Sequence, residues 1–460
     1  MKAVKTVNTV KILKYLLCII LSAAMAAGAA ADACAAAGTR GREGANAGIG
    51  SVSAAAGTRV GTGGVNAVAV SETAVKRVSA AAGTRGKAGA AASGAKNDFR
   101  AVWVCSVLNL DFPSRKGLDN NALRREIDAI VKKAAELKLN ALIVQVRPCG
   151  DALYKSNLFP WSEYLTGAQG TAPKDGFDPL AYWVEQAHRS GLELHAWVNP
   201  YRVTHPTAKI TDAGRLAAGN PARINPSRII AYKDALYYDP GLYINKKLII
   251  NGVAEIVRNY GVDGIHLDDY FYPGADFPDD ASYAKYGGGL DRAEWRRGNV
   301  NDVIKGIQRV IRRQNKNVRF GVSPFGIWRN AKSSPLGSDT SGSESYGSMF
   351  ADSRRWVKSG WIDYICPQIY WYQGFEAADY AKLVKWWADV CDGTGVDLYV
   401  GHAAYKDADA GADDANWKGE IIRQLKLNAG KYPKRVKGSV FFRYQSLTGD
   451  LGRQIKEFYK

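Results

Sequence analysis

No two cysteines in this 460-residue chain stand in C-x-x-C spacing; the six lie at positions 18, 34, 105, 149, 366 and 391. That removes the zinc-ribbon and thioredoxin-type readings which such spacing would support. The five histidines never form H-x-x-x-H or H-E-x-x-H, so the usual helix-borne metal site is missing as well. Beyond the N-terminus, no run reaches the ~20 consecutive apolar residues needed to span a bilayer. No glycine-rich phosphate loop follows the first predicted strand, where Cys105-Ser106-Val107-Leu108-Asn109 stands instead. Basic runs are also absent from the part expected to fold. Of the net charge of +18, residues 1–97 carry +9 (12 Lys/Arg against 3 Asp/Glu), and the other 363 residues carry the remaining +9. So modest an excess suits an anionic or wall-associated polymer, or solubility alone, and not nucleic acid. No cofactor is called for.

What is present begins with a secretion signal, read over residues 1–33. Lys2, Lys5, Lys11 and Lys14 form its positive region, residues 15–21 its apolar core, and Ala31-Asp32-Ala33 an A-x-A cleavage pattern. Cleavage after Ala33 would leave Cys34 first, the place of a lipid-bearing cysteine in a membrane-attached lipoprotein, although the residues before it match that pattern poorly. Residues 34–97 are rich in Ala and Gly, and Ala-Ala-Ala-Gly-Thr-Arg recurs at 35–40, 54–59 and 80–85. Such short repeats bury too little to offset chain entropy, so the segment reads as a disordered tether. The expectation is an exported protein: periplasmic, envelope-bound or extracellular.

Residues 98–460 alternate between apolar strand runs and amphipathic helical patterns. Strands are expected at 101–107, 141–146, 192–198, 262–267, 319–322, 364–367, 398–401 and 439–442. The helices between them fall at 121–137, 179–190, 245–260, 299–314, 353–358, 380–390 and 418–427, with a last one at 450–459. Eight such units predict a (β/α)8 TIM barrel, the competitor being a doubly wound open sheet. Cys105 and Cys149 fall on successive strands, which leaves a disulfide open beside the commoner reading of buried free thiols.

In a barrel of this kind the active site lies where the strands end. The fourth strand ends most tellingly, in His266-Leu267-Asp268-Asp269-Tyr270-Phe271-Tyr272. Alternation puts His266 and Asp268 on one face. Asp268 is the candidate nucleophile or base, and Asp269 either a loop-side partner or the catalytic carboxylate itself. Glycoside hydrolysis needs a second carboxyl as acid. Asp151 is the leading choice because it closely follows Arg147 at a strand end. Arg147 and Arg202 could hold a substrate carboxylate such as the lactyl group of muramic acid, or pair with acids at the barrel mouth. Tyr201, Tyr270, Tyr272, Trp328, Tyr370 and Trp371 are candidate sugar-stacking rings. Asn199, Arg329, Asp339 and Gln368 lie beyond strand ends as candidate polar contacts. His195, His266 and His402 recur at strand ends, as satisfied core histidines or as site residues.

At these motifs the chain resembles a bacterial family of barrel-type proteins, glycosyl hydrolase-like 10, long filed as a domain of unknown function. The matching pieces include Arg100-Ala101-Val102-Trp103, Gln145-Val146-Arg147-Pro148 and Phe159-Pro160-Trp161-Ser162. They continue with residues 195–202, residues 263–272, Gly321-Val322-Ser323-Pro324 and Pro367-Gln368-Ile369-Tyr370-Trp371, in order along nearly all of residues 98–460. The resemblance implies a cell-wall glycosidase acting on peptidoglycan glycan strands that lack stem peptides, at cell division. Another polysaccharide, a non-catalytic glycan-binding barrel, and a metal-dependent hydrolase or deacetylase using His266 and Asp268 are the rivals.

Overall fold

The computed structural model describes residues 98–460, Ala412 excepted; the signal, the tether and Cys34 lie outside the described residues. The barrel strands are β1 (Phe99–Val104), β2 (Ala141–Arg147), β3 (Glu193–Val198), β6 (Gly264–Leu267), β7 (Arg319–Val322), β8 (Tyr364–Ile365), β9 (Asp397–His402) and β10 (Val436–Phe441). They close in the order β1-β10-β9-β8-β7-β6-β3-β2, every pair parallel. This is the expected (β/α)8 barrel. β2 shows why: all seven residues of Ala-Leu-Ile-Val-Gln-Val-Arg are buried, as a strand covered on both faces requires. Between β3 and β6 an antiparallel hairpin, β4 (Ile229–Tyr232) and β5 (Ala235–Tyr238), intervenes.

The helices pack outside. In α1 (Asn120–Glu136) the buried positions Leu123, Ile127, Ile130, Val131 and Ala134 form one stripe, and Asp119 caps the first turn through the Ala122 amide. Each large apolar side chain buried this way stabilises the fold by about 1.5–3 kcal/mol. Further round lie α2 (Pro179–Arg189), α3 (Tyr243–Asn259), α4 (Arg292–Gln314), α5 (Ser353–Lys358), α6 (Tyr380–Cys391), α7 (Glu420–Lys431) and α8 (Asp450–Phe458). α4 begins seven residues before the expected Asn299. Its first turn is built on charge: Asp291 caps it, and the buried Arg296 is held by Asp279, with Nε–Oδ2 2.9 Å. Among the described residues no helix is long and apolar enough to cross a membrane.

The barrel interior is filled by rings. Gly264 and Gly321 make room for them: a Cβ on Gly264 would lie 2.4 Å from the His195 ring, and one on Gly321 2.0 Å from the Tyr364 ring. These rings form a hydrogen-bonded column. The Trp103 indole N–H can only donate, and it reaches His266 Nε2 at 3.1 Å. His266, kept neutral by burial and by its neighbour His195, therefore carries its proton on Nδ1 and donates to Tyr364 Oη at 3.0 Å. Tyr364 in turn donates to His195 Nδ1 at 2.9 Å, and His195 Nε2–H reaches Glu193 at 3.2 Å. Cys105 and Cys149 are buried thiols, with no disulfide between them.

Candidate active site

β1 ends earlier than its apolar pattern suggests. Beyond Val104 the backbone amides leave the ladder for side chains: Cys105 N–H goes to Asp111 Oδ2 (2.9 Å), and the amides of Ser106 and Val107 both go to Gln145 Oε1 (3.0 and 2.9 Å). That double contact fixes the orientation of the Gln145 amide, so its NH2 faces Asn199 Oδ1 at 2.7 Å. The NH2 of Asn199 must then face Asp268, and it donates to Oδ2 at 2.5 Å. Four strand ends are thereby tied to one carboxylate.

Asp268 and Asp269 follow β6 directly, and both line a cavity of about 440 Å³ at the C-terminal end of the barrel. Its walls include Trp103, Trp197, Phe325, Tyr370 and Trp371, and among the described residues these two aspartates are its only acids. Burial pushes the Asp268 carboxyl up, but the positive charge of Arg202 and the Asn199 hydrogen bond favour its ionised form. Asp269 is pushed well above the usual carboxylate range by burial and by the negative charge of Asp268, with Gln368 working weakly the other way. Of the two, Asp269 is the carboxyl whose surroundings favour the protonated form, and Asp268 the one whose partners favour the charged form. Arg202 is buried, donates Nε and Nη2 to the Pro148 carbonyl (3.1 and 2.9 Å), and lies over the Tyr270 ring at 5.6 Å. The β4–β5 hairpin braces it, Arg202 bridging to Tyr237. His205, also on the wall, is kept neutral by burial and by Arg202, its pKa pushed down to about 3.

Of the residues singled out in the sequence, Arg202, Asp268, Asp269, Tyr270, Gln368, Tyr370 and Trp371 meet in the cavity. Asn199 stands one hydrogen bond behind it, and His266 lies beneath its floor. The others do not line it. Asp151 is buried beside Gln169, Nε2 to Oδ2 3.1 Å; closeness in sequence to Arg147 does not carry it to the mouth. Arg147 itself is turned away. The register of β2 against β3 shifts between Gln145 and Arg147, and this bulge re-aims the side chain outward, where its guanidinium lies 4.3 Å over Phe159. His195 sits lower in the barrel, at the Glu193 end of the column. His402 faces outward, between Gln424 on α7 and Ser439. Tyr201 is wholly buried in the outer core. Tyr272 packs against Phe277 and Phe350. Trp328 stacks on Trp386 and donates to Asp352 at 3.1 Å. Arg329 turns to the Ser333 carbonyl and Glu344, and Asp339 pairs at the surface with Lys382.

Several wall residues were not singled out. Gln145, Trp103 and Trp197 had a signal, since alternation along β1, β2 and β3 points all three inward. Lys406, whose Nζ donates to the Tyr370 carbonyl at 2.9 Å, comes from the short helix Ala404–Ala408 and carried none.

The sequence model of the family described as glycosyl hydrolase-like 10 matches residues 98–419. Glycosyl hydrolase YngK of Bacillus subtilis is 44% identical over 361 residues, 76% of this chain and 69% of that protein. Glycosyl hydrolase DigH of Escherichia coli K12 is 38% identical over 365 residues, 75% of this chain and 82% of that protein. Among solved structures, the glycoside hydrolase domain of PgaB from Bordetella bronchiseptica superposes with a TM-score of 0.48 at 12% identity, covering 78% of this chain and 98% of that one. Likeness at that level says nothing of substrate. The relatives and the carboxyl pair at the barrel mouth agree: the chain belongs to the glycosyl hydrolase-like 10 family and is a glycoside hydrolase.

Proposed function

We propose that the protein is exported and cleaves the glycan strands of bacterial cell-wall peptidoglycan, those stripped of stem peptides above all, at division. The observation that carries the glycosidase chemistry is the pair Asp268 and Asp269, consecutive carboxyls in an aromatic-walled cavity, with Arg202 and Asn199 favouring the charge on Asp268 and burial beside Asp268 favouring the proton on Asp269. Asp269 gives its proton to the leaving glycosidic oxygen, and Asp268 stabilises the positive charge that develops at the sugar. The rings of Tyr370, Trp371 and Trp197 offer stacking faces, and Arg202 offers a cation suited to a lactyl carboxylate. Envelope localisation rests on the signal and tether read in residues 1–97. A metal site on His266 and Asp268 finds no support in the geometry, because both ring nitrogens of His266 are engaged by Trp103, Ser323 and Tyr364.

The test is mass spectrometry of soluble products from purified peptidoglycan, with and without prior amidase treatment, using wild type and Asp268→Asn. Peptide-free oligosaccharides released from the amidase-treated strands, and lost in the variant, are expected. Release from intact peptidoglycan at the same rate would refute the preference for stripped strands. Release from neither would refute the substrate.

A further inference from the structure

We propose that the nucleophile in this reaction is the substrate's own 2-acetamido group: its carbonyl oxygen attacks C1 of the sugar, while Asp269 protonates the leaving oxygen and Asp268 accepts the acetamido N–H. The inference rests on the peptidoglycan reading above, since every sugar of that polymer carries a 2-acetamido group.

The first ground is where the acids come from. A conventional retaining or inverting pair flanks the scissile bond, the two carboxyls ~5 Å or ~6.5–9.5 Å apart on opposite sides of the sugar. Asp268 and Asp269 are consecutive residues at the end of one strand, and Cα atoms of neighbours lie only ~3.8 Å apart. Both carboxyls therefore rise from the same wall, and among the described residues no other acid lines the cavity. A protein carboxylate on the far side of the sugar is missing from that wall set, so one partner of the usual pair has to come from elsewhere.

The second ground is how Asp268 is held. Asn199 donates to Oδ2 at 2.5 Å, and the amide of Tyr270 lies 3.4 Å from Oδ1. Asn199 is itself oriented by Gln145 at 2.7 Å. A carboxylate fixed in this way is an acceptor, and an amide N–H is its natural complement. Aromatic walls around it, Trp103 and Trp197 among them, suit the acetamido methyl.

The step balances without an outside reagent except water. The C1–O bond to the leaving sugar breaks as the amide carbonyl oxygen bonds to C1; the Asp269 proton goes to the leaving oxygen. An oxazolinium ion forms, its N–H hydrogen-bonded to Asp268. Water then adds to C1, loses its proton to Asp269, and the amide is restored with net retention. Attack from behind requires the acetamido group trans to the leaving oxygen, so the cleaved bond is β.

The full-length protein would be given amidase-stripped glycan strands and the same strands after de-N-acetylation, with the new reducing end followed by proton NMR before mutarotation. Expected are retention, cleavage of the de-N-acetylated strands slowed at least 100-fold, and competitive inhibition by the thiazoline analogue of the oxazoline. Inversion would overturn the proposal, as would a glycosyl ester on Asp268 in intact-mass spectra of quenched enzyme, or de-N-acetylated strands cut within threefold of the parent rate. Failure to cut the N-acetylated strands at all is a separate result; it would remove the peptidoglycan reading and this inference with it.

Discussion

Asn199 donates one amide hydrogen to Asp268 Oδ2 at 2.5 Å, and its direction is set two residues further back, by backbone amides on Gln145 Oε1. A hydrogen bond to a charged acceptor contributes about 1.5–3 kcal/mol. Asn199→Ala should therefore lower kcat by roughly 10- to 150-fold with KM little changed, and Gln145→Ala, which frees the Asn199 amide, should move in the same direction by less. Steady-state kinetics on stripped strands decides this; a pure KM effect would mean that Asn199 binds sugar directly.

The proposed mechanism, with Asp268 ionised and Asp269 protonated, predicts a bell-shaped pH profile. Rising pH deprotonates Asp268 and switches activity on; a further rise removes the Asp269 proton, held well above the usual range, and switches it off. Arg202 favours the ionised Asp268. In Arg202→Gln the acidic limb of kcat/KM should move to higher pH. An unmoved acidic limb would show that another group sets it.

Asp151 provides a contrast. Burial raises its pKa to about 6, above the ordinary ~3.9 of an unfolded chain. The native state therefore binds more protons between pH 4 and pH 6, and wild-type stability should fall across that window and level off above it, by at most about 3 kcal/mol. Asp151→Asn should lose that slope while keeping activity within about threefold. Thermal melts at pH 4 and pH 7 with a parallel assay check both halves; a 100-fold drop in kcat would return Asp151 to the chemistry.

Two glycine-to-alanine changes should act with opposite sign. In Gly321→Ala the new methyl meets the Tyr364 ring at 2.0 Å, inside a filled barrel, which should destabilise by about 1–3 kcal/mol or more. Gly298→Ala lies in α4 with nothing within 4 Å, and should stabilise by about 0.5–1 kcal/mol. Urea midpoints at constant m-value would show it.

The barrel was legible in the sequence because its signal is local: buried strands such as β2 are continuous apolar runs, and the stripe of α1 repeats with helical period. Asp268 was legible for the same reason, by counting in twos from a buried strand. Arg147 fails that counting because a bulge intervenes, and a one-residue shift in register has no signature in composition. Asp151 fails because nearness along the chain is not nearness in space. The β4–β5 hairpin left a trace that the barrel pattern overshadowed: two four-residue apolar runs around Lys233-Asp234. The burial that pushes both carboxyls up, and the Arg202 charge that favours ionised Asp268 from more than sixty positions away, exist only once the chain has folded.

The column from Trp103 through His266, Tyr364 and His195 to Glu193 has a consequence for traffic. It plugs the barrel from the cavity floor to the opposite rim, so a polymer cannot be threaded through as through a ring. A glycan strand has to lie across the mouth or dip one end into it, and both fragments must back out the way they came. Repeated cutting along one strand would then proceed by release and rebinding, with no sliding grip on the chain.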